Sequence, residues 1–129
     1  MKKKISFDFD NTLEHEYIQD YAKELANRGF EIHIVTSRYE DTNKYEWSIP
    51  KESENHSDLY LIADKLSIPD ENVHFTNMKY KEIFFKNNTF LLHIDDNSSE
   101  VTAIDQTTKT NAVNVTLSDW KEVCELFIK

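Results

Sequence analysis

One glycine, two prolines and one cysteine are all that this 129-residue chain holds of the residues that punctuate or cross-link a backbone. A single glycine, Gly29, rules out a glycine-rich phosphate loop, and with it the dinucleotide-binding and Walker fingerprints. A single cysteine, Cys124, rules out an intramolecular disulfide; it falls in a patterned C-terminal stretch and reads as a small buried apolar residue. Positive charge is also in short supply. The net charge of −9 argues against a nucleic-acid or anionic-membrane partner, which needs a basic face. Basic residues cluster only at Lys2-Lys3-Lys4, a solvated lead-in to a first strand. The apolar run after them breaks at Asp8, too soon for a signal core or a membrane span. A reducing cytoplasm fits these features.

The 39% of hydrophobic residues suffices for one globular domain over 1–129. Lys4 to Phe9 reads as the first strand. Tyr17, Ile18, Tyr21, Ala22 and Leu25 recur at helical spacing, with Gly29 where a C-cap glycine belongs. Glu31 to Thr36 reads as a second strand. Arg38 to His56 is polar, aperiodic and contains Pro50, which predicts a loop. Leu59, Ile62, Ala63 and Leu66 mark a helix stopped before Pro69. Val73 to Thr76 reads as a third strand, Tyr80 to Lys86 as a helix and Thr89 to Ile94 as a strongly apolar fourth strand. Ala112 to Val115 is a weaker fifth, and Asp119 to Phe127 a closing helix. Asn97 to Asn111 holds either a short helix around Glu100 to Ile104 or mostly loop. Strand and helix alternate, so the expected class is α/β: a three-layer Rossmann-like fold around a mostly parallel five-stranded sheet. The near-continuous apolar strands agree, because both faces of such a sheet are buried.

Against this background the run Phe7-Asp8-Phe9-Asp10-Asn11-Thr12-Leu13 stands out. Two carboxylates two residues apart at a strand end share a face and repel unless a cation or a shared proton offsets them. Ligands of open parallel sheets bind beyond the carboxyl ends of the strands. Those ends here carry Asp8 and Asp10, then Thr36-Ser37-Arg38, then Thr76-Asn77 with Lys79 and Lys81, then Asp95-Asp96-Asn97. Hard carboxylate oxygens suit Mg²⁺, a carboxylate can act as a nucleophile, a second can shuttle protons, and a hydroxyl and a lysine can steady phosphoryl oxygens. The set suits phosphoryl transfer. His15, His33, His56, His74 and His93 are scattered and receive no catalytic role.

Asp8-Phe9-Asp10-Asn11-Thr12, then Thr36 closing a hydrophobic strand, then a lysine, then Asp95-Asp96, resembles the haloacid dehalogenase (HAD) superfamily over nearly the whole chain. The resemblance implies an HAD-like fold and a phosphatase in which Asp8 is the nucleophile and Asp10 the general acid and base. It also implies Mg²⁺ held by the Asp8 carboxylate, the Asp10 backbone carbonyl and the Asp95 carboxylate. Thr36 would hydrogen-bond the phosphoryl group with a lysine beside it, Lys81 by helix register or Lys79 two residues earlier. Asp96 would orient the site or bind a metal water. Asn11, Ser37 and Arg38 are the expected substrate contacts, Arg38 because a guanidinium suits phosphate. Tyr39, Tyr45 and Trp47 either join them or pin the loop to the core. The short span from Thr12 to Thr36 excludes a large cap, so the resemblance is to a capless member with a modest insert at about 38–56. The expected partner is a phosphorylated substrate, with neither membrane nor nucleic acid involved. The alternatives are a non-catalytic Mg²⁺-binding or regulatory subunit, and a receiver-like phosphoacceptor domain.

Overall fold

Five apolar segments pair into one sheet in a computed structural model that describes residues 2–41 and 55–129. The strands are β1 (Lys4–Phe7), β2 (Glu31–Thr36), β3 (Val73–Phe75), β4 (Leu92–Asp95) and β5 (Asn111–Asn114). All pair in parallel, in the order β3-β2-β1-β4-β5. The chain runs outward from β1 through β2 to β3, then returns to β4 on the other side of β1. That reversal leaves a crevice between the carboxyl ends of β1 and β4.

The helices are α1 (Glu16–Asn27), α2 (Ser57–Lys65), α3 (Lys81–Asn87), α4 (Ser98–Thr107) and α5 (Trp120–Ile128). Period-two alternation sorts the strand residues onto two faces. Ile5, Phe7, Leu92 and Ile94 pack with Ile18, Leu59 and Cys124 from α1, α2 and α5. Val35, Phe90 and Ala112 pack on the other side with Phe85 of α3 and Ile104 of α4. The result is a three-layer, Rossmann-like α/β fold. No helix among the described residues is long and apolar enough to cross a membrane.

Several boundaries differ from the sequence expectation, each for a local reason. β1 ends at Phe7 rather than Phe9 because the chain tightens at once into a loop with i→i+5 bonds. There the Leu13 N–H donates to the Asp8 carbonyl (3.1 Å) and the Glu14 N–H to the Phe9 carbonyl (3.2 Å). α4 runs from Ser98 to Thr107, longer than the short helix considered, since Asn97 caps it by accepting the Glu100 N–H at 3.1 Å. β4 starts at Leu92 instead of Thr89, the Phe90 N–H being taken by the Thr110 hydroxyl at 3.1 Å. α2 begins at Ser57, before the first apolar residue of its periodic face. Most of the expected 38–56 loop lies outside the described residues.

The shortage of glycine is visible in the backbone. Gly29, at φ 98°, ends α1 in a motif closed by Phe30 N–H to Leu25 C=O (3.2 Å). Elsewhere the left-handed positions fall to Asn11, Asn55, His56, Ser67, Asn77 and Met78. Ser67 ends α2 as glycine would, with Ile68 N–H reaching Ala63 C=O at 2.8 Å.

At the β2–β3 edge, the Glu31 carboxylate accepts from His33 Nε2 at 2.7 Å, which leaves His33 Nδ1 to accept from His74 Nε2 at 2.9 Å. Burial lowers the pKa of His33, against the pull of Glu31. Burial, then His33 and Lys4, push His74 down to about 4. Above about pH 6.5 both imidazoles are neutral whether or not the chain is folded. Between about 6.5 and 4 the unfolded chain takes up protons that the fold refuses, so stability falls as pH drops through that window. His74→Gln should flatten the fall in urea midpoint between pH 7 and pH 5. Identical slopes for variant and wild type would contradict the assignment.

Candidate active site

Alternation places Ser6 and Asp8 on the α3/α4 side of β1, and His93 and Asp95 on the same side of β4. All four are buried, Ser6 pairs with His93 in the β1–β4 register, and hydrogen bonds join Ser6, His93 and Asp95. The Ser6 hydroxyl meets His93 Nδ1 at 2.7 Å, and His93 Nε2 meets Asp95 Oδ2 at 2.8 Å. A carboxylate only accepts, so Nε2 donates to Asp95 and Nδ1 accepts from Ser6. Phe85 closes over His93, their ring centroids 4.8 Å apart.

Lys81, the first residue of α3, sends a buried ammonium between the two strands. Its Nζ lies 2.7 Å from Asp8 Oδ1 and 2.7 Å from Asp95 Oδ2. Its backbone N–H donates to Glu100 of α4 at 3.2 Å, which ties the start of α3 to the site. The remaining carboxylate oxygens are held unequally. Asp95 Oδ1 accepts the Asn97 N–H at 3.0 Å. Asp8 Oδ2 has only the Thr12 hydroxyl at 3.4 Å, and that hydroxyl sits closer to Asp96 Oδ1, at 3.2 Å.

The electrostatics divide the two acids. Burial opposes ionisation of Asp95, but the His93 hydrogen bond and Lys81 outweigh it and hold the carboxyl well below the usual carboxylate range. Burial pushes Asp8 well above that range; Lys81 resists the rise, while Asp95 and Asp96 add to it. Burial also disfavours the Lys81 charge, yet the two carboxylates more than compensate and raise its pKa. His93 stays neutral through burial. One ammonium therefore serves a pair of acids that would take up a further positive charge. Asp8, Asp95 and Asp96 each offer an oxygen within 4.8 Å of the others, an all-oxygen donor set that fits a hard divalent cation such as Mg²⁺. A cation there would draw Asp8 back to its ionised form.

The carboxylate of Asp10 lies outside this triad. Both its oxygens are engaged by Arg38, with Nε at 3.0 Å and Nη2 at 2.7 Å. Arg38 is the residue whose role differs most from its sequence reading as a substrate contact. It gives its remaining N–H groups to Asp58 (2.9 and 2.8 Å) and His56 (3.4 Å), and it lies over the Phe9 ring at 5.0 Å. All five donors are thus turned to protein acceptors. Thr36 is fully buried, and its hydroxyl accepts the Arg38 N–H at 3.3 Å. Ser37 and Asn11, by contrast, line a cavity of about 330 Å³ with Asp8, Lys81, Asp95 and Asp96. Lys79 is exposed on the rim of that cavity. Tyr39 borders a shallower depression beside it, and Tyr45 and Trp47 lie outside the described residues.

Asp96, expected to orient the site or bind a metal water, stands with Asp8 and Asp95 in the acid cluster that could hold a cation. Two parts of the site escape the sequence reading. His93 and Ser6 share the period-two face of Asp95 and Asp8, and that was their one signal. Asp58 had none, since its partner is 20 residues away across an aperiodic stretch.

No family model matches the chain, and no curated protein matches it either.

Removing the Lys81 ammonium leaves Asp8 and Asp95 without the cation they share. Lys81→Met should cost about 3–5 kcal/mol in chelator, read from urea unfolding. Lys79→Met, on the rim, should stay within about 0.5 kcal/mol. Equal effects of the two substitutions would refute the arrangement.

Proposed function

We propose that the chain is a Mg²⁺-dependent phosphomonoester hydrolase, an HAD-superfamily phosphatase without a large cap, with Asp8 as its covalent nucleophile. The observation that carries this reading is the asymmetry between the two acids joined by Lys81. Both Asp95 oxygens accept close hydrogen bonds, Oδ2 from His93 and Lys81 and Oδ1 from the Asn97 N–H, whereas Asp8 keeps one oxygen, Oδ2, with only a long contact from Thr12. A nucleophile needs such a free lone pair, and a supporting acid does not.

Asp8, Asp95 and Asp96 are the residues that would hold Mg²⁺, with the Asp10 backbone carbonyl as the further ligand that the resemblance implies. When bound, the ion supplies charge neutralisation for the phosphoryl oxygens and the clustered acids. Lys81 sits where it would offset charge on the phosphoryl group, and Ser37 and Asn11 are the neutral donors of the cavity wall. Asp8 Oδ2 attacks phosphorus as the bond to the leaving oxygen breaks, and Asp10 gives that oxygen a proton. Water then attacks the aspartyl-phosphate, gives its proton to Asp10, and the Asp8–phosphorus bond breaks to release phosphate. Asp10 has to free one oxygen from Arg38 for either transfer. Its side chain is 48% exposed, so there is room for that movement.

The receiver-like alternative is disfavoured by the strand order. Receiver domains share the flavodoxin-like order 2-1-3-4-5, whereas the order here is 3-2-1-4-5. A non-catalytic subunit is separated from an enzyme by turnover alone.

Phosphate release from an aryl phosphate should require Mg²⁺ and fall by roughly a thousandfold or more in Asp8→Asn, with the fold intact. Full activity in that variant would sink the mechanism. Mg²⁺ at 100 times its Kd should stabilise the native state by about 2.7 kcal/mol, and Asp96→Asn should shrink the resulting rise in Tm. A wild-type Tm indifferent to Mg²⁺ would remove the metal from the proposal.

A further inference from the structure

Above the acidic floor, the rim of the same cavity has a different chemistry. Met78 and Tyr80 line it, and both are exposed, at 46% and 70%. Neither contributes its apolar surface to the core, and such surface is costly to leave in water. Tyr80 immediately precedes Lys81, whose Nζ holds Asp8. Tyr80 and Asp8 line the same cavity.

The backbone that presents these side chains is held in an uncommon form. Asn77 and Met78 are consecutive left-handed residues, at φ 56° and 64°, neither of them glycine. Their N–H groups donate to the Arg38 carbonyl (3.1 Å) and the Ser37 carbonyl (2.7 Å). The Asn77 side chain accepts the Glu40 N–H at 2.9 Å, and the Thr76 hydroxyl donates to the Lys79 carbonyl at 3.0 Å. Left-handed backbone at a methionine costs energy and persists only where its surroundings enforce it. Here that enforcement turns a thioether and a phenol outward beside the cavity, an arrangement that core packing does not require. The cavity wall also carries the Asn97 amide, the Ser99 hydroxyl and the Glu100 carboxylate, which accepts the Lys81 N–H. A flat apolar face, a polarisable sulfur and polar groups in the same cavity match a planar ring with polar edges.

We propose that Tyr80 and Met78 form a platform for a planar aromatic ring in the leaving group, so that the substrate is a nucleoside-type phosphomonoester rather than a sugar or polyol phosphate. This rests on the phosphatase reading above. The ring stacks on Tyr80, Met78 packs against its edge, and the phosphoryl group reaches down to Asp8 and Lys81.

The test compares a purine nucleoside 5′-monophosphate with ribose 5-phosphate, which share the same leaving oxygen and differ in the base. Release of phosphate is measured with Mg²⁺ for wild type, Tyr80→Ala and Tyr80→Phe, alongside equilibrium binding of the nucleotide to each. Wild type should favour the nucleotide in kcat/KM by roughly tenfold or more, through KM. Tyr80→Ala should erase most of that preference by lowering kcat/KM for the nucleotide far more than for ribose 5-phosphate, while Tyr80→Phe keeps it. Equal kcat/KM for the two substrates, or an equal loss on both in Tyr80→Ala, overturns the platform while leaving the phosphatase reading in place. No turnover of either, with nucleotide binding that depends on Tyr80, overturns the phosphatase reading and retains the platform. Absence of both turnover and binding overturns the platform as well.

Discussion

A single buried ammonium determines how the centre of this molecule is built. Asp8, just past the end of β1, and Asp95, the last residue of β4, lie on the same face of the sheet, and both are buried. Two carboxylates so placed repel in a medium that screens them poorly. Lys81 resolves the conflict, and to do so it begins a helix beneath those strand ends and carries its charge inward at 2.7 Å from each. The α3 register, the Glu100 contact to its first N–H and the packing of Phe85 on His93 all serve that placement. Breaking such a buried pair by removing one partner is costly, so a change at Lys81 is felt throughout the sheet.

The polar chain behind Asp95 extends the same logic. Ser6, His93 and Asp95 form a line of hydrogen bonds through an otherwise apolar layer. Each member satisfies the next, and no buried side-chain polar atom is left without a partner among the described residues. A half-satisfied network would cost more than an apolar core, whereas this one fixes a single tautomer of His93 and a single orientation of Asp95. Asp8 receives no comparable support, and the contrast follows from position alone: Asp95 ends its strand in the sheet, while Asp8 already opens a loop.

Much of this arrangement could be read before any coordinates. The apolar runs at Ile5, Ile34 and Leu92 alternate with helical patterns, and that alternation points to a parallel sheet buried on both faces. Asp8, Asp95 and Lys81 were legible because carboxylates that close an apolar run, and a lysine that opens a helical pattern, stand out whatever the exact boundary. The Arg38 clasp was not, since it joins Asp10 and Asp58 across a segment with no periodicity to measure. The Ser6–His93 contact needed the β1–β4 register, which depends on the strand order of the sheet rather than on either strand. Thr36 and Ser37 show the limit of one-residue resolution. Adjacent hydroxyls at a strand end face opposite ways, and only the folded backbone decides which one meets the cavity.

The bonds from Asn77 and Met78 to the carbonyls of Arg38 and Ser37 join the loop after β2 to the loop after β3. Two crossings that are far apart along the chain therefore behave as one mechanical piece. A force applied to either is shared by both, and neither swings alone. The start of α4 is tied in as well, since Glu100 accepts the Lys81 N–H at the start of α3. The cavity is thus walled by segments after β2, β3 and β4 that are cross-linked to one another, and a change of ligand is met by exchanging the side chains they carry.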